Sequence, residues 1–338
     1  MRKNMLHGLI IVIAVITIIL SAFSVYVVTI EKRSIMSKVV ELFLKASYGK
    51  KTFTDKEDLK KFLEERKIEN EKPYILPSSI KLNANIEELL FEDMQVFIIT
   101  PENGQKNIKT NIFYLHGGSY VYNPDPVHWK MFDKLIKQTS ARIIIPIYPK
   151  APNYNYKQSF KKVLDYYSFV FKETDGKEIV LMGDSAGGGF ALAAAQILRN
   201  LKLPLPRDII LISPWLDIGM KTEGIRELEK KDPMLSAKKL IDLGKVWAAN
   251  DNPKNFMLSP INGNFENIGH ITLFIGTHEI FLPDAEKFKS ITESKNIKIT
   301  YYKYHKMNHV FPLFPIPEAK DALEKIAKII NGSNSDIE

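Results

Sequence analysis

From about residue 91 onward, short apolar runs of strand length alternate with amphipathic helical patterns, and that alternation leaves few folds open. The runs lie at 96–100, 111–115, 142–147, 178–182, 208–212, 271–275 and 297–304. Helical patterns fall between or after them, near 128–138, 157–172, 185–200, 284–294 and 317–331. Most runs are continuously apolar, as strands buried on both faces should be. The expectation is an α/β fold, a mostly parallel central sheet with helices on both faces. Runs 96–100 and 111–115 read as neighbouring strands joined by the turn-rich Pro101-Glu102-Asn103-Gly104. Residues 217–260 interrupt the alternation with a charged, partly helical stretch containing Trp247, read as a cap insertion.

Ahead of this region, residues 8–30 form an apolar run without a charge. As a helix it is long enough to cross the roughly 30 Å of bilayer hydrocarbon. Arg2 and Lys3 precede it, and Glu31, Lys32 and Arg33 close it. Residues 1–33 are therefore expected to be an N-terminal transmembrane helix, a single-pass anchor contacting lipid through 8–30. A cleaved signal peptide is the competing reading, because Ala22-Phe23-Ser24 offers small residues at a suitable spacing. Against it, the apolar stretch continues through Val25, Tyr26, Val27 and Val28 to Ile30. The positive start favours an extracytoplasmic body, whereas Lys32, Arg33, Lys38 and Lys45 pull the other way.

The net charge of +8 is concentrated near this segment. Residues 1–75 carry roughly +5 of it, leaving no basic stripe on the remainder and no expected nucleic-acid partner. Lysine and arginine beside an apolar run suit either anionic headgroups or a solvated helix face. The chain has no cysteine, which excludes disulfides, thiolate nucleophiles and cysteine-ligated metals.

Within residues 34–90, read as a helical N-terminal cap region, Ser34 could cap a helix. Ile35, Met36, Val39, Val40, Leu42 and Phe43 would form one side of it. Thr54 and Glu57 form a capping box for a second helix with Leu59, Phe62 and Leu63 on its apolar face. Pro73 and Pro77 then mark a linker into the main domain at 91–333.

Chemistry concentrates at Gly183-Asp184-Ser185-Ala186-Gly187, directly after the run Ile179-Val180-Leu181-Met182 and before a helical stretch. This is G-x-S-x-G in a strand–turn–helix context, a nucleophile elbow. A sharp turn lifts a serine hydroxyl clear of the backbone, and a side chain at either flanking glycine would collide with the neighbouring strand or helix. A second motif, His116-Gly117-Gly118, ends the run Phe113-Tyr114-Leu115. Glycine lets backbone N–H groups approach a developing oxyanion, so the amides of Gly117, Gly118 and Ala186 are the expected oxyanion hole.

With both motifs in order, the sequence resembles the hormone-sensitive-lipase-like bacterial esterases of the α/β-hydrolase fold over roughly residues 91–333. Tyr148-Pro149-Lys150-Ala151-Pro152, Ser213-Pro214-Trp215-Leu216-Asp217, Asp232-Pro233-Met234-Leu235 and His309-Val310-Phe311 carry the likeness further. The resemblance implies a carboxylic-ester hydrolase acting on small acyl esters without a cofactor. In such a fold the nucleophile Ser185 is followed by an acid and then a histidine. His309 fits the family's histidine-x-phenylalanine pattern, whereas His305 lies closer to the last strand and reads as structural. His305 and His309 also form His-x-x-x-His, but no general-base glutamate accompanies them and no metal is expected. Glu279 occupies the family's acid position; Asp284 is the alternative, though it also suits a helix N-cap. His278 reads as a loop residue. Tyr120, Tyr122, Trp129, Tyr154 and Tyr156 are candidate pocket residues.

This chain departs from the family pattern in carrying Ser119 for a third glycine and Pro149-Lys150 for arginine-leucine. Two other readings stay open: a non-catalytic, membrane-tethered binding protein on a hydrolase scaffold, and a peptidase or lactonase using the same residues.

Overall fold

The computed structural model describes residues 2–48, 52–102, 108–174 and 178–332. Helix α1 (Arg2–Val25) continues through a widened turn at Tyr26–Ile30, and α2 (Ile35–Tyr48) and α3 (Lys56–Asn70) follow. The main domain then runs β1 (Ala84–Phe91), β2 (Met94–Pro101), β3 (Thr110–Leu115), α4 (Pro126–Gln138), β4 (Ala141–Pro146) and α5 (Tyr156–Glu173). It continues with β5 (Glu178–Asp184), α6 (Ser185–Asn200), β6 (Asp208–Ile212), α7 (Ile225–Glu229) and α8 (Ala237–Ala248). Strand β7 (His270–Gly276), α9 (Leu282–Ser294), β8 (Ile299–Tyr304) and α10 (Pro317–Ile330) complete it.

The eight strands form one sheet in the order β1-β2-β4-β3-β5-β6-β7-β8. Pairs β1–β2 and β2–β4 are antiparallel, and every later pair is parallel. Alternate residues of β3 serve opposite faces: Phe113 and Leu115 join the core with α5 and α6, while Ile112 and Tyr114 join the core with α4 and α10. Helices therefore cover both sides, as the alternation predicted.

Three local expectations are corrected. Strand β1 lies inside the stretch read as helical; it is an edge strand with mostly exposed side chains, so it lacks a buried strand's apolar run. It turns into β2 through Glu92-Asp93, with Phe91 opposite Met94. Strands β2 and β3 are not neighbours, because β4 lies between them and hydrogen-bonds to both. Of the expected linking turn, Asn103 and Gly104 lie outside the described residues. Helix α3 is capped by Asp55, whose carboxylate accepts from Asp58 N–H, rather than by the Thr54–Glu57 box. A carboxylate is the better acceptor at the positive end of a helix.

Candidate active site

Strand β5 ends at Asp184 and α6 begins at Ser185, so the chain reverses direction within one residue. Ser185 takes a φ of 52°, a left-handed conformation that ordinary residues adopt only when their surroundings force it. The surroundings are two glycines. A Cβ on Gly183 would strike the Gly187 carbonyl, and one on Gly187 would strike the Leu115 carbonyl. The elbow closes only because neither is there.

Three sheet-end loops converge on this serine. The loop after β8 carries His309, whose Nε2 lies 2.9 Å from Ser185 Oγ. The loop after β7 carries Glu279, whose Oε2 lies 2.8 Å from His309 Nδ1. A carboxylate can only accept, so Nδ1 carries the imidazole proton and the Nε2 lone pair faces the serine hydroxyl. The loop after β6 contributes Ser213, whose hydroxyl donates to Glu279 Oε1 at 2.8 Å and accepts from Val310 N–H at 3.0 Å. Gly276 N–H donates to the same Glu279 oxygen at 2.7 Å.

The alternative acid is elsewhere. Asp284 is hydrogen-bonded to Thr222 and sits within the first turn of α9, whose N-cap is Phe281. The expected capping role for Asp284 is corrected as well. Burial pushes its carboxyl up to about 6 despite the Thr222 hydroxyl. His305 is exposed, and His278 Nδ1 lies 3.4 Å from Glu41 Oε2.

Of the expected oxyanion donors, Gly117 is engaged. Its N–H donates to Asp184 Oδ1 at 2.8 Å, and that oxygen also meets Tyr114 Oη at 2.7 Å and His128 Nε2 at 3.2 Å. Burial favours a neutral Asp184 carboxyl, but His128, Tyr114 and Gly117 outweigh it and hold the group below its ordinary range. Gly118 and Ser119 line the cavity above Ser185. The Ala186 amide lies in the first turn of α6, where a helix offers it no acceptor. Beside them, burial first and then Lys150 push the imidazole of His116 down to about 3, so it is neutral.

The serine opens into a cavity of about 960 Å³ whose walls include Tyr122, Met234, Leu240, Leu243, Leu313 and Phe314. Of the aromatic residues expected there, Tyr122 is in place. Tyr120 is buried instead, stacked 4.3 Å from Trp247, and Trp129 packs against Phe97 and Phe132. Tyr154 is 41% exposed, and Tyr156 hydrogen-bonds to Asp251. An alternating strand or a loop tyrosine does not reveal which way it points until register is known.

Sequence reasoning missed three supporting residues: Asp184, Ser213 and Asp232. Asp232 accepts from Met234 N–H, Leu235 N–H and Ile280 N–H, fastening the segment between β6 and β7 to the residue after Glu279. All three lie inside recognisable motifs, so an acidic or hydroxyl residue held within each motif is the available signal.

Comparison with known proteins agrees with this architecture. A family model described as the alpha/beta hydrolase fold matches residues 112–313. An esterase of Acinetobacter venetianus is 29% identical over 229 residues, covering 67% of this chain and 76% of that protein. An acetyl-hydrolase of Streptomyces hygroscopicus is 24% identical, covering 63% of this chain and 72% of its own length. A crystal structure described as a candidate esterase from Staphylococcus aureus superposes with a TM-score of 0.79 at 33% identity, covering 85% of this chain and 96% of its own. With the elbow, the sheet order and the family match in agreement, this chain belongs to the α/β-hydrolase fold family.

Proposed function

We propose that this hydrolase is a serine esterase in which Ser185, His309 and Glu279 form the catalytic triad. The observation that carries the reading is the unbroken relay from Glu279 through His309 to Ser185, with distances of 2.8 and 2.9 Å, opening into an apolar cavity. His309 Nε2 takes the Ser185 proton as Oγ attacks the acyl carbonyl, and Glu279 stabilises the imidazolium. The tetrahedral oxyanion is held by the amides of Gly118, Ser119 and Ala186, because the Gly117 amide is already donated to Asp184. His309 then protonates the leaving alcohol, and water attacks the acyl-enzyme by the same route.

Residues 1–33 are proposed as a membrane anchor. The helix over Asn4–Ile30 has a mean hydropathy of 2.8 in its most apolar stretch and none of that stretch is buried. The catalytic body would lie on the extracytoplasmic side, following the positive start of the chain. Residues 34–83, ahead of β1, and 217–260 are proposed as the cap over the cavity, to which Tyr48, Arg66, Met234 and Leu240 contribute walls. Relatives described as esterase and acetyl-hydrolase support ester substrates with short acyl groups. The complete relay favours catalysis over a binding scaffold.

The test is a fluorophosphonate probe together with turnover of p-nitrophenyl acetate. Wild-type protein should be labelled and turn over the ester, and Ser185→Ala should do neither. Equal labelling of both proteins rejects the assignment.

A further inference from the structure

Helix α2 is amphipathic in the reverse sense for a helix packed on a water-soluble domain. Its inward residues are Ser37, Glu41 and Leu44, two of them polar, all at most 2% exposed. Its outward residues include Ile35, Met36, Val39, Leu42 and Phe43, from 39% to 66% exposed. In water the opposite arrangement would be favoured, with the apolar stripe against the core and the charges outside.

The orientation is fixed by bonds. Glu41 is held by Arg33, by Lys45 at 2.9 Å and by His278 at 3.4 Å. Arg33 also donates to the Lys306 carbonyl at 3.2 Å, and Ser34 donates twice to Glu318 of α10, each time at 2.8 Å. The helix therefore cannot roll its apolar stripe inward without stripping a buried carboxylate of its partners.

What covers the stripe is indicated by its place in the chain. The apolar helix ends at Ile30 and α2 begins at Ile35, so the stripe starts within a few residues of where the anchor would leave the hydrocarbon. The other end of α2 reaches the cavity: Tyr48 lines it and is 46% exposed, as does Ile75 at 81%. An apolar path thus runs from the anchor, along α2, to the rim above Ser185.

We infer that the outward face of α2 rests in the membrane interface and presents the cavity rim to the bilayer, so that the substrate is an amphiphilic ester drawn from the lipid. This deepens the proposed esterase function and rests on that reading and on the anchor.

The chain lacks cysteine, so single-cysteine variants report one position each. Full-length Ile16→Cys, Phe43→Cys and Lys161→Cys would carry an environment-sensitive fluorophore in phosphatidylcholine vesicles containing a nitroxide-labelled phosphatidylcholine. Quenching is expected at 16 and 43, and not at 161 on α5. Quenching at 16 alone overturns the α2 contact and leaves the anchor standing; quenching at neither overturns both. A disulfide between two copies of unlabelled Phe43→Cys under air oxidation, with no lipid quenching of the labelled protein, would make a second copy the occupant and overturn the inference.

The substrate arm uses the variant Leu42→Glu/Phe43→Glu, whose changes lie outside the catalytic machinery. Diacylglycerol hydrolysis in the same vesicles should fall by about tenfold or more, while p-nitrophenyl acetate turnover stays at the wild-type rate. Unchanged rates on both esters overturn the inference. Wild-type turnover of p-nitrophenyl acetate but not diacylglycerol overturns the substrate class alone. Turnover of neither removes the esterase reading itself.

Discussion

The Ser213 hydroxyl donates to Glu279 at 2.8 Å while accepting from the backbone of Val310, the residue after His309. One side chain thus fastens Glu279 to the chain segment that carries His309. Ser213 itself sits at a left-handed φ of 45°. Ser213→Ala removes both bonds and leaves a buried carboxylate oxygen with the Gly276 amide as its remaining partner. We expect kcat for p-nitrophenyl acetate to fall by about tenfold, the size of one lost hydrogen bond to a charged group, with KM little changed. An unchanged kcat would remove Ser213 from any positioning role.

The two acid candidates separate cleanly by substitution. Glu279→Gln keeps the shape of the side chain but cannot hold the imidazolium or enforce its tautomer, and kcat should fall by about a thousandfold or more. Asp284→Asn alters a group bonded to Thr222 and should leave kcat within about twofold. Steady-state kinetics on both variants decides between them, and the reverse pattern would reassign the acid.

Gly187→Ala tests the elbow. The added Cβ would meet the Leu115 carbonyl on β3, a backbone atom that cannot turn aside. The main chain must shift where Ser185 is presented. Loss of about 3 kcal/mol in stability is expected, together with loss of fluorophosphonate labelling. Chemical denaturation and probe labelling of the same preparation measure both.

Glu41 gives a pH signature away from the serine. Burial alone would raise its carboxyl, but His278, Arg33 and Lys45 outweigh it and set the folded-state value well below the ordinary 4.5. A carboxyl depressed by folding contributes stability that is present above the unfolded value and fades as pH falls toward the folded one. Glu41→Gln should therefore destabilise the full-length protein at neutral pH by about 3 kcal/mol. The gap to wild type should narrow as pH drops below about 4.5, read from denaturation midpoints in detergent. A gap independent of pH would refute the ionic role.

Much of this arrangement is legible in the amino-acid sequence. The buried strands announced themselves because the centre of a parallel sheet demands continuous apolar residues, and the elbow because its glycines have no sterically acceptable substitute. Strand β1 was illegible because an edge exposed to water imposes no such demand. The engagement of the Gly117 amide was hidden for a different reason: Asp184 meets it through a contact between residues 67 positions apart, which no local pattern records. The same holds for Ser213 and Glu279, separated by 66 positions. For α2 the periodicity was visible, but its direction depended on Glu318, Lys306 and His278, far along the chain.

The polar underside of α2 changes what it means to trim this protein for solubility. Glu41 meets the residue beside Glu279, and Arg33 meets a carbonyl three residues ahead of His309. Cutting after Ile30 would discard greasy helix and the buried Val27, whereas starting downstream of Tyr48 would pull the footing from under two of the loops that feed the serine. A shortened version that loses turnover would then be reporting a missing brace, not a missing bilayer.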